Sequence, residues 1–512
     1  MLADARRFTR LALGLRSYLR EPVDAEAHRA RLRTHLEGRT ESFLHVLCAG
    51  VFGNPKSPYL PLLARAGAEQ GDIEKLVKAE GLEGALGRLW DDGVRVGLDE
   101  FKGRAPEFDN LLFRSVFEAR SGGSGGTRRP AKTSLDQLRH QTAYQWLFLE
   151  AFDAHERPLV IWRPVPPGRA GLWNALRSPK TGRPADRWFT QTPYRLASGL
   201  LRDWPVTRLA LALSRRYAAG LPTPEHVPPG DAIRVARRVA ELVAAGTPPL
   251  LDTLTSSAVR VCLAAEASGL DVSGTLIRVG SEALTPAKAE AAVRVGARIA
   301  CHYSMAEAGR MAMACADAEA VDDVHLLEDK IAVVQRERPV GAGESVGALY
   351  LTTLLPHTSK LMLNVESGDY ANITDRDCGC ALGALGFRRH LHGIRSYEKL
   401  STEGMHFLGP ELVRLVEETL PARFGGGPTD YQLVEEEGLG GLPQVSLVVS
   451  PRVGVLDEGA VVAAALAALG DGPGYKRMMA ELWRDGSTLQ VVRREPHVTA
   501  AAKILPLHLV RR

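Results

Sequence analysis

CHYSMAEAG, residues 301–309, closes an apolar run with one aromatic ring, Tyr303, and one acid, Glu307, four positions further on. Aromatic residues make up only 6% of the chain, so an aromatic beside an acid, amid mostly small neighbours, asks for a reason. A tyrosine ring can stack on a flat base, and a carboxylate can hold a magnesium ion that bridges phosphates. A strand that ends in a solvated turn would use the same residues and bind nothing. Tyr-x-x-x-Glu alone does not choose between these readings, so its surroundings must.

The run that leads into it, ARIACHY (297–303), is one of several short apolar stretches separated by glycines and prolines. PLVIW (158–162), VRVCLAA (259–265), TLIRVG (275–280) and GALYLTTL (347–354) are the others. All read as strands of a mixed α/β layer, alternating with helices at 231–245 and 286–296. Before about residue 116 the texture is helical. Asp24 caps a helix carrying Leu32, Leu36, Phe43, Leu47 and Val51, which Asn54-Pro55 ends, and DIEKLVKAEGLEGALGRLWDDG (72–93) continues in the same style. After IRSYEKLSTEG (394–404) the pattern resets: PELVRLVEETL reads as a helix, YQLVEEE and PQVSLVVS as paired strands, and 457–470 as another helix. The expected fold is α/β: a helical segment over 1–115, a large multi-sheet domain over 116–394, and a small mobile α+β domain over 395–512.

Composition narrows the partners. A chain of 512 residues is too long for one core and suggests two or three domains. Its 64 basic and 60 acidic residues leave a net charge of +4, which implies neither a nucleic-acid nor a membrane partner. The six cysteines (48, 262, 301, 315, 378 and 380) are scattered apart from one C-x-C, so no disulfide framework is expected. The first twenty residues lack a sustained apolar core, and the longest apolar run, AVVAAALAAL from Ala460, is too short to span a bilayer. A soluble, cytoplasmic monomer or homodimer is expected.

Three further stretches invite chemistry. SGGSGGTRRP (121–130) is a glycine and hydroxyl loop whose backbone could approach a polyphosphate, although it lacks the G-K-[ST] of the common phosphate loop and would also serve as a linker. ESGDY (366–370) places Asp369 after a glycine, in what reads as a turn following the strand KLMLNV, where an acid could accept from ribose hydroxyls. VTAAAKILPL (498–507) carries the last lysine of the chain, Lys503, among alanines that leave it room to reach into a cleft.

Taken together and in order, these stretches resemble the ANL superfamily of adenylate-forming enzymes, nearest its phenylacetate–coenzyme A ligase branch. Ser121, Gly122, Gly123, Ser124, Gly126 and Thr127 are similar to the loop that holds the ATP β- and γ-phosphates. Gly280, Ser281 and Glu282 of RVGSEAL resemble the Gly-Gly-Glu-type turn beside adenine. His302, Tyr303, Ser304 and Glu307 resemble the Tyr-Gly-x-Thr-Glu motif, in which the ring packs on adenine and the acid serves Mg²⁺. Asp369 resembles the acid that binds the ribose hydroxyls, Arg395 begins a hinge-like segment running to Glu398, and Lys503 resembles the catalytic lysine. The resemblance implies ATP and Mg²⁺, with Glu307 and Lys503 as the catalytic pair. It implies a carboxylic acid substrate, activated as an acyl-adenylate and passed to coenzyme A or an acyl carrier protein. An amine acceptor, or a nucleotide-binding homologue without turnover, is the alternative. Gly125, Ala306 and Ala502 depart from the family pattern, where two hydroxyl residues and a glycine are usual.

Cys378, Cys380, His390 and His392 offer soft and borderline ligands that suit tetrahedral zinc. One residue between two cysteines is not a standard zinc spacing, so these are expected to be a turn with incidental thiols, free of metal.

Overall fold

Leu159–Trp162, LVIW, shows no polar side chain to water, and all four residues are buried in the middle of a parallel sheet. Val160 and Trp162 enter one core while Leu159 and Ile161 enter a second, as expected of a strand covered on both faces. The computed structural model describes all residues except 1, 116, 121–129, 166–169, 184, 193–203, 219, 342–343, 398–399, 403–404, 408, 438–442, 472–473, 486–487, 500–501 and 510–512.

Among the described residues, twelve strands form the large sheet. In chain order they are β1 (Leu159–Trp162), β2 (Ala185–Thr190), β3 (Glu225–His226), β4 (Leu250–Thr253), β5 (Leu276–Gly280), β6 (Arg298–Met305), β7 (Gly309–Ala314), β8 (Val324–Leu326), β9 (Ile331–Gly341), β10 (Glu344–Thr353), β11 (Val365–Asp375) and β12 (Arg389–Ser396). Across the sheet the order is β9-β10-β11-β12-β8-β7-β6-β5-β4-β1-β2-β3. The half running from β3 to β6 is parallel, and the remainder is antiparallel. The parallel order 3-2-1-4-5-6 is that of a doubly wound sheet, whose ligands sit outside the carboxyl ends of the strands where the order reverses. Here that point lies between β1 and β4.

Helices Ala232–Ala244, Thr255–Ala267 and Pro286–Arg294 fill the first core, and helices Leu2–Arg20, Leu135–Ala151 and Ala170–Arg177 fill the second. The N-terminal helices belong to these same cores. Phe43, Val77 and Leu89 join the first, and Leu11, Leu15 and Leu32 join the second. Tyr59 donates its hydroxyl to the Leu361 carbonyl at 3.0 Å, and the Asn364 amide donates to the carbonyls of Leu86 and Val94. The long helix expected after Asp24 is two, Ala25–Glu37 and Arg39–Leu47, divided at Gly38, with the Asp24 carboxylate accepting from the Ala27 N–H at 3.0 Å.

VRVCLAA is helical rather than extended. Every residue from Thr255 to Cys262 is buried, so the stretch loses the polar face that marks a helix in sequence, and Val259-Arg260-Val261 mimics strand alternation.

The C-terminal unit has a core of its own, built from Leu412, Leu433, Leu447, Val461, Trp483 and Leu507 among others. Its sheet comprises β13 (Tyr431–Glu437), β14 (Pro443–Val449), β15 (Leu489–Arg493) and β16 (Leu507–Leu509), in the order β15-β14-β13-β16. Among the described residues no helix is long and apolar enough to cross a membrane.

Candidate active site

The carboxyl ends of β5 and β6 lie side by side, with Gly280 paired to His302. Gly280 is required by that closeness, because a Cβ there would stand 2.6 Å from His302 Nε2. The next two residues leave the strand. Ser281 has φ 75, the left-handed region that costs an L-residue roughly 1–2 kcal/mol. Glu282 then turns its carboxylate toward Ser256, accepting from the backbone N–H at 2.8 Å and from the hydroxyl at 2.9 Å.

The same carboxylate reaches the C-terminal unit. The Ile504 N–H donates to Glu282 Oε1 at 3.1 Å, which docks the segment carrying Lys503 against the end of β5. Thr499 shapes that segment: its N–H donates to the Lys503 carbonyl at 2.8 Å, and its hydroxyl accepts from the Lys503 N–H at 3.0 Å. Ala502 sits at φ 64. Ser281 and Ala502 therefore both hold backbone that glycine holds freely, at positions where the motifs they resemble carry glycine. Burial, with Arg163 opposing the attraction of Glu282, pulls the Lys503 ammonium below the usual lysine range. Glu417 makes further polar contacts between the units, accepting from the Thr285 hydroxyl at 2.6 Å and pairing with Lys288 at 2.6 Å.

Tyr303 packs against the first core, and its hydroxyl donates to Asp369 Oδ2 at 2.6 Å. Burial and then the Asp369 charge push the phenol well above its usual range, so it remains the donor. Asp369 does not lie in a turn after a strand, as its sequence suggested. It lies within β11, where Gly368 at φ 84 breaks the register with β10 between Ala348 and Tyr350. The bulge aims the carboxylate at Tyr303. Glu307 occupies the turn between β6 and β7, and its carbonyl accepts from the Ser359 hydroxyl at 2.8 Å. Its carboxylate has no hydrogen bond or ion pair among the described residues, and the residue is half-buried. Ser304 is at the irregular register of β6 with β7. Arg395 is paired across strands with Tyr370, and its guanidinium goes to Asp322 at 2.9 Å rather than to Asp369. Ser121, Gly122, Gly123, Ser124, Gly126, Thr127 and Glu398 lie outside the described residues.

Beneath these groups, on the face of helix Leu135–Ala151, lies a charge network that the motifs did not contain. Asp252 of β4 is fully buried and accepts from Arg163 Nε at 2.7 Å, Arg278 Nε at 2.5 Å and the Asn174 amide at 2.8 Å. Burial works to raise the Asp252 carboxyl, but Arg278 and Arg163 outweigh it and hold it well below the usual carboxylate range. Two further arginines, Arg177 and Arg310, are buried nearby. Arg310 forms no ion pair among the described residues, and its guanidinium reaches only Met313 Sδ, at 3.6 Å. Burial, followed by the like charges of Arg177 and Arg278, opposes its charge. The same surroundings keep His302 neutral, through burial first and then Arg310 and Arg163. Arg163 Nη2 and His302 Nδ1 are buried without hydrogen-bond partners among the described residues. Positive charge thus outnumbers negative just under the point where the strand order reverses. The sequence signal was present: Asp252 and Arg278 each interrupt an apolar strand, and the register pairs them directly.

No protein-family model matches the chain, and no curated protein matches it. Among solved structures the chain is similar to an open conformation of 2-hydroxyisobutyryl-CoA ligase in complex with 2-HIB-AMP and CoA. The identity is 15% and the TM-score 0.46, over 92% of this chain and 90% of that one. It is also similar to ATP-bound MatB from Rhodopseudomonas palustris, at 14% identity and a TM-score of 0.42 over 76% of this chain and 66% of that one. A third likeness is to an amide bond synthetase from Marinactinospora thermotolerans, at 14% identity and a TM-score of 0.41, over 94% of this chain and 98% of that one.

Proposed function

We propose that this chain activates a carboxylic acid with ATP, forming an acyl-adenylate and releasing pyrophosphate, and then passes the acyl group to the thiol of coenzyme A or a carrier protein. The observation that carries this reading is the presence of two pairs on the neighbouring strands β6 and β5: Tyr303 with Asp369, and the Glu282 turn with the lysine segment it docks.

In this reading the Tyr303 ring lies against the adenine, and its hydroxyl orients Asp369 to accept from the ribose hydroxyls. The carboxylate of the acid attacks the α-phosphorus, and the bond to pyrophosphate breaks. Lys503 supplies a fixed cation between the carboxylate and phosphate oxygens as negative charge builds there. The surplus of arginine beneath the site favours an anionic occupant, whether acid or phosphate. Glu307 fits a hard cation, because its carboxylate has no competing partner among the described residues. A magnesium ion held by Glu307 would offset the negative charge of the phosphates. The C-terminal unit has its own core and meets the large unit through a few polar contacts at Glu282 and Glu417, which suits a rotation that withdraws Lys503 before the acceptor arrives.

Nucleotide affinity tests the first half of this reading. Hydrogen bonds to a charged group are worth about 1.5–3 kcal/mol each, so Asp369→Ala should weaken ATP about tenfold or more in a calorimetric titration. Asp369→Asn, which still offers Tyr303 an acceptor, should weaken it as well while keeping the parent's thermal stability. Unchanged ATP affinity in both variants would remove the ribose assignment.

A further inference from the structure

We propose that Cys315, His325, Cys378 and Cys380 bind one structural zinc ion. The four residues come from three separate parts of the chain: Cys315 just beyond β7, His325 in β8, and the two remaining cysteines in the turn before the short helix Ala381–Leu385. Cys315 and Cys378 have their sulfur atoms 3.7 Å apart, and Cys378 and Cys380 3.4 Å apart. His325 Nε2 is 3.4 Å from Cys378 Sγ and 3.1 Å from Cys380 Sγ. Zinc–sulfur bonds of about 2.3 Å place the sulfurs of a tetrahedral site roughly 3.8 Å apart, close to the separations of 3.7 and 3.4 Å found here, and the donor atoms of Cys315, His325 and Cys378 all lie within 4.8 Å of one another.

The surroundings fit a closed site. Cys315 is 2% exposed, Cys380 5% and His325 0%. His325 Nδ1 lies 2.9 Å from the Phe387 carbonyl, an arrangement that fixes the proton on Nδ1 and leaves the Nε2 lone pair for a metal. The Arg376 guanidinium stands 3.6 Å from Cys315 Sγ, where its charge offsets the surplus of a three-thiolate site. A fifth donor, His390, has its ring centroid 4.0 Å from that of His325 but is held at Nδ1 by Asp323 at 2.8 Å. Its donor nitrogen lies within 4.8 Å of those of Cys315, His325 and Cys378, so it stands beside the four as an alternative ligand. Three thiols and an imidazole packed together without an ion would bury polar groups that satisfy one another poorly, whereas zinc uses all four.

The ligand set differs from the one the sequence spacing offered. His392 sits further along β12, opposite Asn372, and takes no part, while Cys315 and His325 replace the missing partners. Zinc bound here would replace the expected metal-free, incidental thiols. A zinc ion held here fastens the excursion between β11 and β12 onto the β7–β8 edge, close behind the strands that carry Asp369 and Arg395.

Elemental analysis of the full chain, produced without an affinity tag that binds metal and without added metal, should find close to one zinc per chain. Cys378→Ser combined with Cys380→Ser should remove it. The parent chain gives a second readout that does not depend on how that variant folds. Exchanged into cobalt, it should show thiolate-to-cobalt charge-transfer absorption and the intense visible bands of a tetrahedral site. Well under one metal ion per chain, with all six cysteines titrating as free thiols after unfolding, would overturn the proposal. A disulfide within the cluster would overturn it equally.

Discussion

Lys503→Ala should lower acid-dependent ATP–pyrophosphate exchange by about 10²–10³, the range for removing one preorganised electrostatic group. The loss should fall on the rate and not on binding. The groups proposed to hold the nucleotide, Tyr303 and Asp369, belong to the large unit and not to the lysine segment. Glu282 and Thr499 fix the backbone around residue 503, so removing the side chain leaves the docking intact. Supplied with chemically made acyl-adenylate and a thiol acceptor, the same variant should still complete transfer, because the proposed rotation takes the lysine away before that step. Equal loss of both half-reactions would point instead to a structural role for the C-terminal segment.

Asp252→Asn should destabilise the large unit strongly. The substitution keeps the size of the side chain and removes the one charge that Arg163 and Arg278 share, leaving two guanidinium groups on residues that are each 1% exposed. Removing one partner from a buried ion pair costs about 3–5 kcal/mol, because the remaining charge stays out of water. The first thermal transition should fall by on the order of 10 °C. The effect should also depend on pH with a definite sign. Asp252 is held below the usual carboxylate range, so its contribution is full near neutrality and is lost as pH falls below about 4. The gap between parent and variant should therefore narrow in acid. An Asn variant as stable as the parent at neutral pH would mean that the arginines find compensation elsewhere.

Much of the parallel sheet can be read directly from the sequence, because strands covered on both faces are apolar throughout and glycines or prolines bound them. PLVIW and TLIRVG need nothing more. Burial of every residue from Thr255 to Cys262 hid the helix at Thr255–Ala267, because its polar residues there no longer mark an outer face. Tyr303, Asp369, Glu282 and Lys503 were visible as motifs, and the fold brings them together as two pairs, Tyr303 with Asp369 and Glu282 with the lysine segment. The bulge that places Asp369 inside a strand was not visible, since Gly-Asp serves a turn equally well. The thiol cluster was beyond local spacing altogether. Cys315 and Cys378 are 63 residues apart, and only the pairing of β8 with β7 and β12 makes them neighbours.

Return of label from pyrophosphate to ATP tests the chemistry of the first step most directly. The parent chain, given Mg·ATP and labelled pyrophosphate, is expected to incorporate label only when a carboxylic acid from a broad panel is present. That exchange should require Lys503. Exchange that proceeds equally without any acid, or that persists at the parent's rate in Lys503→Ala with the best acid, would contradict acyl-adenylate formation at this site.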